Sequence, residues 1–410
     1  MNAETFKKKF VTFDDTDKES LENVLSIIED VKKNSDSALK KYTEQFDGQT
    51  VEDFRVPEEK LKRSFENLSD EEKNALILIK DRIADYQQSI KYKDYQDGEF
   101  SYVYHPLERI GIYIPGGTAL YPSSVLMSAV PAAVAGVKDI VAVTPTFTDE
   151  NITLAALYIA GVTEVYTAGG AQAVAALAYG TESIKKVDKI TGPGNKYVAL
   201  AKKQVFGDVG IDMIAGPSEI LLYVDDTADY TAIAYDVFAQ AEHDVNARTF
   251  LLAESSNVIE AVQSEIDRLI GEQQRTDVIR ESLNNNHYQI IDSRENLLEI
   301  INYIAPEHVS IQHREEQVIS KNIRYAGAVF IGKYSPEAIG DYAAGPSHVL
   351  PTNQTGRFSH GLNVNDFLTS HAVIQLKEGT YNSIADAAKT IAKKEGLYAH
   401  YESLNIRTER

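Results

Sequence analysis

From Arg109 onward, short apolar segments alternate with longer segments of helical character. Continuous apolar runs of this length are typical of strands that are buried in a sheet. The predicted strands span residues 110–114, 140–144, 164–167, 187–190 and 220–224, with predicted helices between them at residues 124–135, 152–160, 171–179 and 196–205. A second set of predicted strands lies near residues 249–253, 288–291, 309–311 and 328–331. This alternation predicts an α/β fold in which parallel sheets are covered by helices on both faces.

The segments at the two ends of the chain have other patterns. Apolar residues recur at helical spacing at Leu21, Val24, Leu25 and Ile28. Ser69 and Glu72 form a capping-box pattern before the apolar run 75–79, so the first hundred residues are predicted to be helical and structural. Past Asn365 the chain has one strand-like segment, 371–376, and one helix-like segment, 382–394. A tail of that size is too small to build its own core and is expected to pack on something else.

The composition indicates a large, acidic enzyme. A chain of 410 residues with 43% hydrophobic residues can form more than one core. The net charge of −20 disfavours binding to nucleic acid and to anionic lipid. The N-terminal residues have no apolar signal core, and the longest weakly polar stretch, 125–137, is too short to span a bilayer, so a cytoplasmic protein is expected. The absence of cysteine excludes disulfides, thiolate zinc sites and a thiol nucleophile.

Two crossings between α/β domains are expected, at Pro115 and at Gly216-Pro217. They predict four parts: residues 1–114, a helical region with the start of the first α/β domain; 115–219, an inserted α/β domain; 220–362, the remainder of the first domain; and 363–410, a C-terminal extension. The two sets of strands have no close sequence repeat, so the sequence does not establish a duplication.

Residues 211–244 combine a polar turn with a polar helix end. Ser218 and Glu219 place a hydroxyl and a carboxylate on a Gly-Pro turn before the predicted strand 220–224. Residues 229–242 predict a helix, at whose end Gln240 and His243 are three residues apart and are expected to share one helical face. Such a pair can bind a metal ion. On its own, a Gln/His pair is weak evidence for a metal site and is more typical of a capping or surface role.

Clustered polar residues recur in several other segments, and together these segments resemble histidinol dehydrogenase. The matching segments, in the order in which that family has them, are 113–117 (YIPGG), 191–195 (TGPGN), 211–244, 305–308 (APEH), 340–348 (GDYAAGPSH) and 395–400 (EGLYAH). The resemblance runs from about Arg109 to His400. It implies two incomplete Rossmann-like domains, with small N- and C-terminal pieces that wrap a dimer partner.

The resemblance also implies a zinc site and a substrate site that two subunits share. The implied zinc ligands are Gln240, His243, Asp341 and, donated by the other subunit, His400. Two imidazoles, a carboxylate and an amide oxygen form a chemically plausible zinc set, although the amide is a poor donor. The residues implied to contact the substrate, L-histidinol, are Ser218, Gln240, His243, His308, Asp341, His348, Glu395 and His400. Considered without the resemblance, Asp341 and His400 are ordinary polar residues of a turn and of an acidic tail.

For a dinucleotide, the sequence by itself leaves two possibilities. The G-x-G-x-x-G pattern is absent, because the segment that begins at Gly192 lacks the third glycine. The turn 192–194 nevertheless lies between a predicted strand and a predicted helix, where free backbone N–H groups can bind phosphate. A glycine turn without a ligand is equally compatible with the pattern. The resemblance implies that Tyr113, Gln172 and Asn195 contact NAD⁺.

Glu307 and His308 are the candidate catalytic pair. Neighbouring side chains of a regular helix or strand diverge, so both reach one small substrate only in an irregular segment, which Pro306 favours. A histidine can accept an alcohol proton near neutral pH, and a carboxylate can activate water. The resemblance implies that His308 deprotonates the hydroxyl of L-histidinol as NAD⁺ takes a hydride. It further implies that Glu307 helps to hydrate the bound aldehyde, and that a second NAD⁺ completes the oxidation to L-histidine.

Two other classes of protein remain compatible with parts of this pattern. A zinc hydrolase could use the same metal ligands with Glu307 activating water, and a metal-dependent binding protein could use the dimer without turnover. Neither explains the glycine turns after the predicted strands at 110 and 190. Two departures from the family pattern, Ser347 in place of Asn and His360 in place of a small residue, leave the shape of the loop around His348 open. His105, His287, His313 and His371 lie outside every motif and are interpreted as structural or surface residues.

Overall fold

The structure is a computed structural model that describes residues 1–13, 17–116, 120–145 and 151–407. Gly117 of the 113–117 motif lies outside the described residues. The chain forms two compact units. The larger unit consists of Met1–Ile90 and Leu107–Phe367, and the smaller unit of Lys91–Pro106 and Leu368–Arg410. The four-part division at residues 114, 219 and 362 stays a prediction.

The N-terminal part of the larger unit is helical, as the sequence predicts. Its helices are α1 (Ala3–Lys9), α2 (Lys18–Asp47), α3 (Glu58–Glu66) and α4 (Asp70–Ile90). The predicted capping box is present, because Glu72 accepts a hydrogen bond from the Ser69 N–H and Ser69 Oγ accepts one from the Glu72 N–H. Helix α2 is broken at Ser35, where φ is +53°. The helical prediction is wrong beyond residue 90, since β1 (Tyr95–Asp97) and β2 (Phe100–Pro106) follow.

The first α/β layer contains a five-stranded parallel sheet. Its elements are β3 (Arg109–Tyr113), α5 (Pro122–Ala135), β4 (Asp139–Thr144), α6 (Ile152–Ile159), β5 (Glu164–Thr167), α7 (Gly170–Tyr179), β6 (Lys189–Thr191), α8 (Lys196–Val205) and β7 (Gly210–Ile211). The strand order is β5-β4-β3-β6-β7, with every pair parallel. The two-residue strand β7 is too short for an apolar pattern to predict.

The second α/β layer repeats this architecture. Its elements are β8 (Glu219–Val224), α9 (Tyr230–Ala241), β9 (Arg248–Ala253), α10 (Ser256–Leu269), α11 (Thr276–Asn286), β10 (His287–Ile291), α12 (Arg294–Ile304), β11 (His308–Gln312), α13 (Glu316–Ser320) and β12 (Ala328–Ile331). The order β10-β9-β8-β11-β12 is again parallel throughout. Numbered within its own layer, each sheet has the order 3-2-1-4-5, which is the Rossmann order without its sixth strand. The prediction of two incomplete Rossmann-like sheets is therefore confirmed.

Helices cover both faces of these sheets, which explains why β3, β8 and β9 are buried along their whole length. On one face of the first sheet, the core is formed with α2, α7 and α8. The second sheet packs against α9, α10 and α11 on one face and against α1 and α12 on the other. Phe6 of α1 packs edge-to-face against Phe250 and Tyr288 of the second sheet. The larger unit also contains the short helix α14 (Glu337–Tyr342).

The smaller unit joins two distant stretches of the chain. Strand β13 (Leu368–Ile374) pairs antiparallel with β2 in the order β1-β2-β13, and α15 (Glu378–Lys394) and α16 (Tyr398–Asn405) follow. The predicted strand and helix of the tail are both present, whereas α16 was not predicted. In place of a core of its own, the tail has residues 95–106 as its strand partner. None of the described helices is long and apolar enough to cross a membrane.

A buried ion pair stabilises the turn after β6. Lys202 of α8 and Asp212 have side chains that are 4% and 1% exposed, and they are in direct contact. Lys202 Nζ also donates to the carbonyl oxygen of Gly192 at 3.0 Å, and the Gly192 N–H donates to Asp212 Oδ2 at 2.8 Å. Both backbone groups of Gly192 are therefore bound by the two partners of one ion pair.

We predict that Lys202→Met lowers the free energy of unfolding by about 3–5 kcal/mol, because it leaves the buried carboxylate of Asp212 without its cation. Urea denaturation followed by circular dichroism measures the change. Lys8→Met is the matched control, since the Lys8–Glu4 pair is exposed on both sides and should contribute far less. Equal shifts of the urea midpoint for the two variants would contradict the prediction.

Candidate active site

The amino-terminal edge of the second sheet brings two of the sequence motifs together. Strands β8 and β11 are neighbours, and His308 pairs with Ile220. The segment 218–219 therefore lies beside the segment 307–308. Before β11 the chain is irregular, because Ala305 ends α12 in the left-handed conformation with φ of +47°. Glu307 precedes the strand, whereas His308 is its first residue.

His308 is held in one tautomer by the backbone. Its Nδ1 lies 3.0 Å from the carbonyl oxygen of Glu219. Because a carbonyl can only accept a hydrogen bond, Nδ1 carries the proton and Nε2 keeps its lone pair. Burial lowers the pKa of His308 to about 4, so the ring is neutral at pH 7. This state is the one that a general base requires.

Glu307 is held by the same neighbouring residue. Its Oε2 accepts a hydrogen bond from the Glu219 N–H at 2.9 Å. Burial raises the pKa of Glu307 well above its usual value, and the nearby carboxylates of Glu219 and Glu337 raise it further. A carboxylate with a raised pKa is a stronger base toward water. The backbone of Glu219 thus binds both members of the candidate catalytic pair.

Glu219 itself is buried, with 1% of the residue exposed. Burial raises the pKa of this carboxyl to about 7, and the guanidinium of Arg248 opposes that rise. Its Oε2 accepts a hydrogen bond from the Asn353 N–H at 3.3 Å.

The candidate zinc ligands of the larger unit come from α9 and α14. Helix α9 ends at Ala241, so His243 lies in the following turn and not on the same helix as Gln240, contrary to the sequence prediction. The turn keeps the two residues close, because the His243 N–H donates to the Gln240 carbonyl oxygen at 3.3 Å. Gln240 is fully buried, and neither of its amide atoms has a hydrogen-bond partner among the described residues. A buried amide in this state is suited to bind a ligand.

Glu337 is a member of this group that the sequence analysis missed. Candidate ligand atoms of His243, Glu337 and Asp341 all lie within 4.8 Å of one another. Glu337 and Asp341 are four residues apart on α14 and therefore share a face, which is the sequence signal that could have revealed Glu337. Glu337 Oε1 lies 3.8 Å from His308 Nδ1. Burial, together with the charges of Asp341 and Asp236, raises the pKa of Glu337 well above its usual value.

His348 connects the two α/β layers. Its Nδ1 donates to the Asp341 carbonyl oxygen at 3.0 Å, and its Nε2 lies 3.4 Å from Ser124 Oγ of α5. Burial lowers the pKa of His348. The neighbouring Ser347 is buried and donates to the carbonyl oxygen of Met127, also in α5, at 3.1 Å. Ser347, which departs from the family pattern, therefore has a hydrogen-bond partner for its hydroxyl in the neighbouring helix α5.

The remaining predicted substrate residues lie in two places. Ser218 is half-buried in the turn before β8, where its carbonyl oxygen accepts a hydrogen bond from the Arg248 N–H at 2.9 Å. Glu395 and His400 belong to the smaller unit. Glu395 is the C-cap of α15, His400 lies in α16, and both side chains are exposed. His360, the other departure, is exposed at 3.8 Å from Asp366.

The three candidate NAD⁺ contacts lie near the carboxyl edge of the first sheet. Tyr113 ends β3, Gln172 lies in the first turn of α7, and Asn195 is the N-cap of α8. Tyr113 Oη accepts a hydrogen bond from the Gly170 N–H at 3.0 Å. Gln172 is 1% exposed, and its two amide atoms lack hydrogen-bond partners within the described ranges. Strands β3 and β6 flank the point at which the strand order reverses, where open α/β sheets bind their ligands.

The turn 192–194 after β6 depends on glycine. Gly192 has φ of +108°, and a Cβ atom there would lie 2.3 Å from the Tyr113 carbonyl oxygen. A Cβ at Gly194 would lie 2.4 Å from Val198. Asn195 begins α8 by accepting hydrogen bonds from the N–H groups of Tyr197 and Val198. The close approach to Tyr113 therefore excludes a side chain at Gly192, and contact with Val198 excludes one at Gly194.

Comparison with known proteins identifies the family. The histidinol dehydrogenase family model matches residues 12–408. The chain is 50% identical to the histidinol dehydrogenase of Staphylococcus epidermidis strain RP62A over 413 aligned residues, which cover 99% of this chain and 100% of the relative. It is 48% identical to that of Staphylococcus saprophyticus over 409 residues, with 99% and 97% coverage.

Solved structures agree with this assignment. The crystal structure of histidinol dehydrogenase from Elizabethkingia anophelis superposes with a TM-score of 0.94 at 33% identity, covering 99% of this chain and 96% of that chain. An acetylating aldehyde dehydrogenase from Geobacillus thermoglucosidasius has a TM-score of 0.52 at 14% identity, covering 88% of this chain and 98% of that chain, which indicates a shared fold alone. On the family match and on identity along nearly its whole length, the chain belongs to the histidinol dehydrogenase family of oxidoreductases.

Proposed function

We propose that this chain oxidises L-histidinol, through bound L-histidinal, to L-histidine, with two NAD⁺ and one zinc ion per subunit. Membership of an oxidoreductase family decides against the zinc hydrolase and the binding protein. The observation that carries the proposal is the pair formed by His308 and Glu307, both bound to the backbone of Glu219. This pair supplies one base for the alcohol and another for water.

His308 acts in the first half-reaction. With Nδ1–H bound to the Glu219 carbonyl, Nε2 is the atom that accepts the hydroxyl proton of L-histidinol. Burial keeps the imidazole neutral before the proton arrives. NAD⁺, when bound, accepts the hydride that leaves the carbinol carbon in each oxidation.

Glu307 acts between the two oxidations. Its carboxylate removes a proton from water as the water attacks the carbonyl carbon of the aldehyde, and the carbonyl oxygen takes the proton that His308 accepted in the first oxidation, which gives a neutral hydrate and leaves His308 neutral again. The hydrate has a hydroxyl that His308 can deprotonate in the second oxidation. Glu307 Oε2 lies 3.7 Å from His308 Nδ1, so the two side chains are neighbours, which supports their assignment to one substrate.

The dinucleotide is assigned to the first sheet. The buried amide of Gln172, unpaired among the described residues, and the position of the turn 192–194 between β6 and the start of α8 fit a dinucleotide. At the corresponding point of the second sheet, the loop after β8 carries Asp225 and Asp226, both paired with Arg314. Those carboxylates disfavour a pyrophosphate there.

The metal is assigned to Gln240, His243 and Asp341, with His400 of the partner subunit as the fourth ligand. The unpaired buried amide of Gln240 and the close grouping of the His243 and Asp341 ligand atoms fit a cation. Zinc, when bound, binds the imidazole and amine nitrogens of the substrate and does no redox chemistry, because it is d¹⁰. Ser218, His348 and Glu395 are proposed to complete the substrate contacts.

A homodimer with shared active sites follows from the assignment of Glu395 and His400. The smaller unit, which carries both residues, has apolar side chains that are 49% to 68% exposed at Ile374, Ile384, Ile391 and Tyr398. An apolar surface of this kind is typical of a region that is covered in an oligomer. A cytoplasmic location stays a prediction.

The function is tested by incubating the protein with L-histidinol and NAD⁺ and measuring NADH absorbance. We expect two NADH per L-histidinol. Glu307→Gln should slow oxidation that starts from L-histidinal about 10²–10⁴-fold and slow oxidation of the alcohol less, whereas His308→Ala should impair both steps. His371→Ala, in the smaller unit and outside the motifs, is the control. If the wild-type protein produces no NADH, the assigned function is refuted. If Glu307→Gln slows both steps equally, the role of Glu307 in hydration is refuted.

Removal of the metal should abolish turnover and leave the fold intact, because the proposed ion binds substrate and does not hold a core together. Activity and far-ultraviolet circular dichroism are measured before and after a strong chelator, and zinc should restore activity. Gln240→Ala should contain less zinc by elemental analysis than Gln317→Ala, whose side chain is exposed. Full activity in protein shown to be free of divalent metal would disprove a metal requirement.

Sharing of the site is tested by mixing two inactive variants, His243→Ala and His400→Ala, under conditions in which dimers exchange. If His400 acts in the partner's site, a mixed dimer has one site with both lesions and one with neither. Random exchange should then restore roughly a quarter of the wild-type activity, since half of the dimers are mixed and each has one intact site. Native mass spectrometry of tagged chains verifies exchange. Exchange without recovery would show that His400 serves its own chain.

A further inference from the structure

We propose that Glu219 is a positioning residue for Glu307 and His308, and that residues 10–13, here called the N-terminal arm, fix Glu219 through Arg248 and Asn353. The inference rests on the proposed function of the catalytic pair. It adds a role for a residue with no assigned function and for a segment that lies more than two hundred residues away in the sequence. The steps below follow the contacts from the pair to the arm.

One peptide unit on each side of Glu219 determines the geometry of the pair. The Glu219 N–H donates to Glu307 Oε2 at 2.9 Å, and the Glu219 carbonyl oxygen accepts the Nδ1 proton of His308 at 3.0 Å. The first bond places the carboxylate that activates water. The second determines which imidazole nitrogen carries the lone pair. A displacement of the Glu219 backbone would therefore change the position of one group and the tautomer of the other.

The side chain of Glu219 holds this backbone in place. Its Oε2 accepts a hydrogen bond from the Asn353 N–H at 3.3 Å. Its Oε1 faces Arg248 Nη1 at 3.7 Å, and the two side chains are 1% and 6% exposed. Oε1 has no hydrogen-bond partner among the described residues, so its charge is compensated by the guanidinium across a short gap. Arg248 is thus the cation that keeps a carboxylate at this depth.

Arg248 is in turn held by the N-terminal arm. Its Nη2 donates to the carbonyl oxygen of Val11 at 3.1 Å. Its guanidinium carbon lies 5.4 Å from the ring centre of Phe10 and 5.8 Å from that of Phe13. Guanidinium groups bind to aromatic faces at such distances. The arm therefore contacts Arg248 through the rings of Phe10 and Phe13 and the backbone carbonyl of Val11.

Asn353 is held by the same arm. Its Oδ1 accepts a hydrogen bond from the Phe13 N–H at 2.8 Å, and its Nδ2 donates to the Phe13 carbonyl oxygen at 2.9 Å. Asn353 and Gln354 both have left-handed backbone, with φ of +55° and +68°. Such conformations persist only where surrounding contacts determine them. The two bonds to Phe13 are contacts of that kind, and they direct the Asn353 N–H toward Glu219.

The arm is itself fixed to the core of the second sheet. Phe10 stacks on Phe6 with ring centres 5.1 Å apart and packs against Phe250 at 6.0 Å and Tyr303 at 6.1 Å. The contacts thus run without a break from a hydrophobic core, through the arm, to the backbone that binds the catalytic pair.

The test compares Arg248→Met with Arg109→Met. Both arginines are buried and paired with a carboxylate, but Arg109 pairs with Glu164 at the first sheet, away from this chain of contacts. We expect Arg248→Met to lower kcat for L-histidinol about 10²-fold with little change in KM, which is the loss expected for misplaced catalytic groups. Arg248→Lys, which keeps the charge, should recover part of kcat. Phe13→Ala, which leaves Arg248 and Glu219 intact, should lower kcat in the same direction.

A second measurement does not depend on turnover. In protein labelled with ¹⁵N-histidine, the imidazole nitrogen shifts of His308, assigned with His308→Gln, report which nitrogen is protonated. Wild type and Arg109→Met should show the Nδ1–H tautomer, whereas Arg248→Met and Phe13→Ala should show a mixture. If Arg248→Met does not fold, Phe13→Ala decides. A wild-type tautomer and kcat in the folded variants, or losses equal to those of Arg109→Met, would overturn the inference. The proposed function and this inference can fail separately. If the wild type does not oxidise L-histidinol but Arg248→Met and Phe13→Ala still change the tautomer of His308, only the proposed function is refuted.

Discussion

The parallel pairing of β8 with β11 determines where the candidate catalytic residues lie. In parallel strands the peptide groups stay in fixed register, so the residue before Ile220 lies beside the residue before His308. The Glu219 peptide groups meet the Glu307 and His308 side chains for this reason. The register of both strands is fixed by packing, because β8 and β11 are interior strands of a sheet that is buried on both faces. A slip of one residue would turn each side chain to the opposite face of the sheet, disrupt the packing of both cores and separate the polar groups at the same time.

Two sheets with one strand order differ in the polar groups that lie at their edges. In the first sheet, the carboxyl edge carries the glycine turn after β6 and lies near the buried Gln172, whose side-chain amide has no hydrogen-bond partner among the described residues. In the second sheet, the carboxyl edge is occupied by ion pairs such as Arg314 with Asp225, and the polar cluster lies at the amino edge instead. Ser124 of α5 and His348 then bring the layers together. The shared topology therefore specifies a scaffold, and the loops at particular edges specify the chemistry.

Apolar runs and capping patterns were sufficient to predict most of the fold. The strands of both sheets are long enough, and buried enough, for their composition to show. The pairing of β2 with β13 was missed because the two strands are more than 260 residues apart and mostly exposed, so neither has a local apolar signal. The order of the strands within each sheet depends on such long-range contacts as well. Sequence patterns therefore predict the helices and strands better than they predict which strands pair with each other.

The site was predicted unevenly for a related reason. Residues in short motifs, such as Glu307 and His308, could be singled out by chemical type and resemblance. Glu337 was missed because it lies outside those motifs, although its spacing from Asp341 was informative. The turn that carries His243 was interpreted as helix because helix ends are poorly determined by sequence. The role of Glu219 could not have been inferred, because it depends on the backbone groups of that residue, which every residue possesses.

The buried carboxylates around His308 need positive charge to compensate them. Glu219, Glu307 and Glu337 are each 7% exposed or less, and Asp341 lies beside the last of them. Carboxylates at such depth must either bind protons or be compensated by positive charge. Arg248 compensates Glu219, whereas no arginine or lysine among the described residues forms an ion pair with Glu307, Glu337 or Asp341. The raised pKa values of Glu307 and Glu337 reflect this lack of compensating positive charge.

A divalent ion bound beside Asp341 would supply part of the missing positive charge and thereby favour the ionised form of Glu307. The proposed metal would therefore have a second consequence besides substrate binding, because it would adjust the basicity of the carboxylate that we propose to activate water.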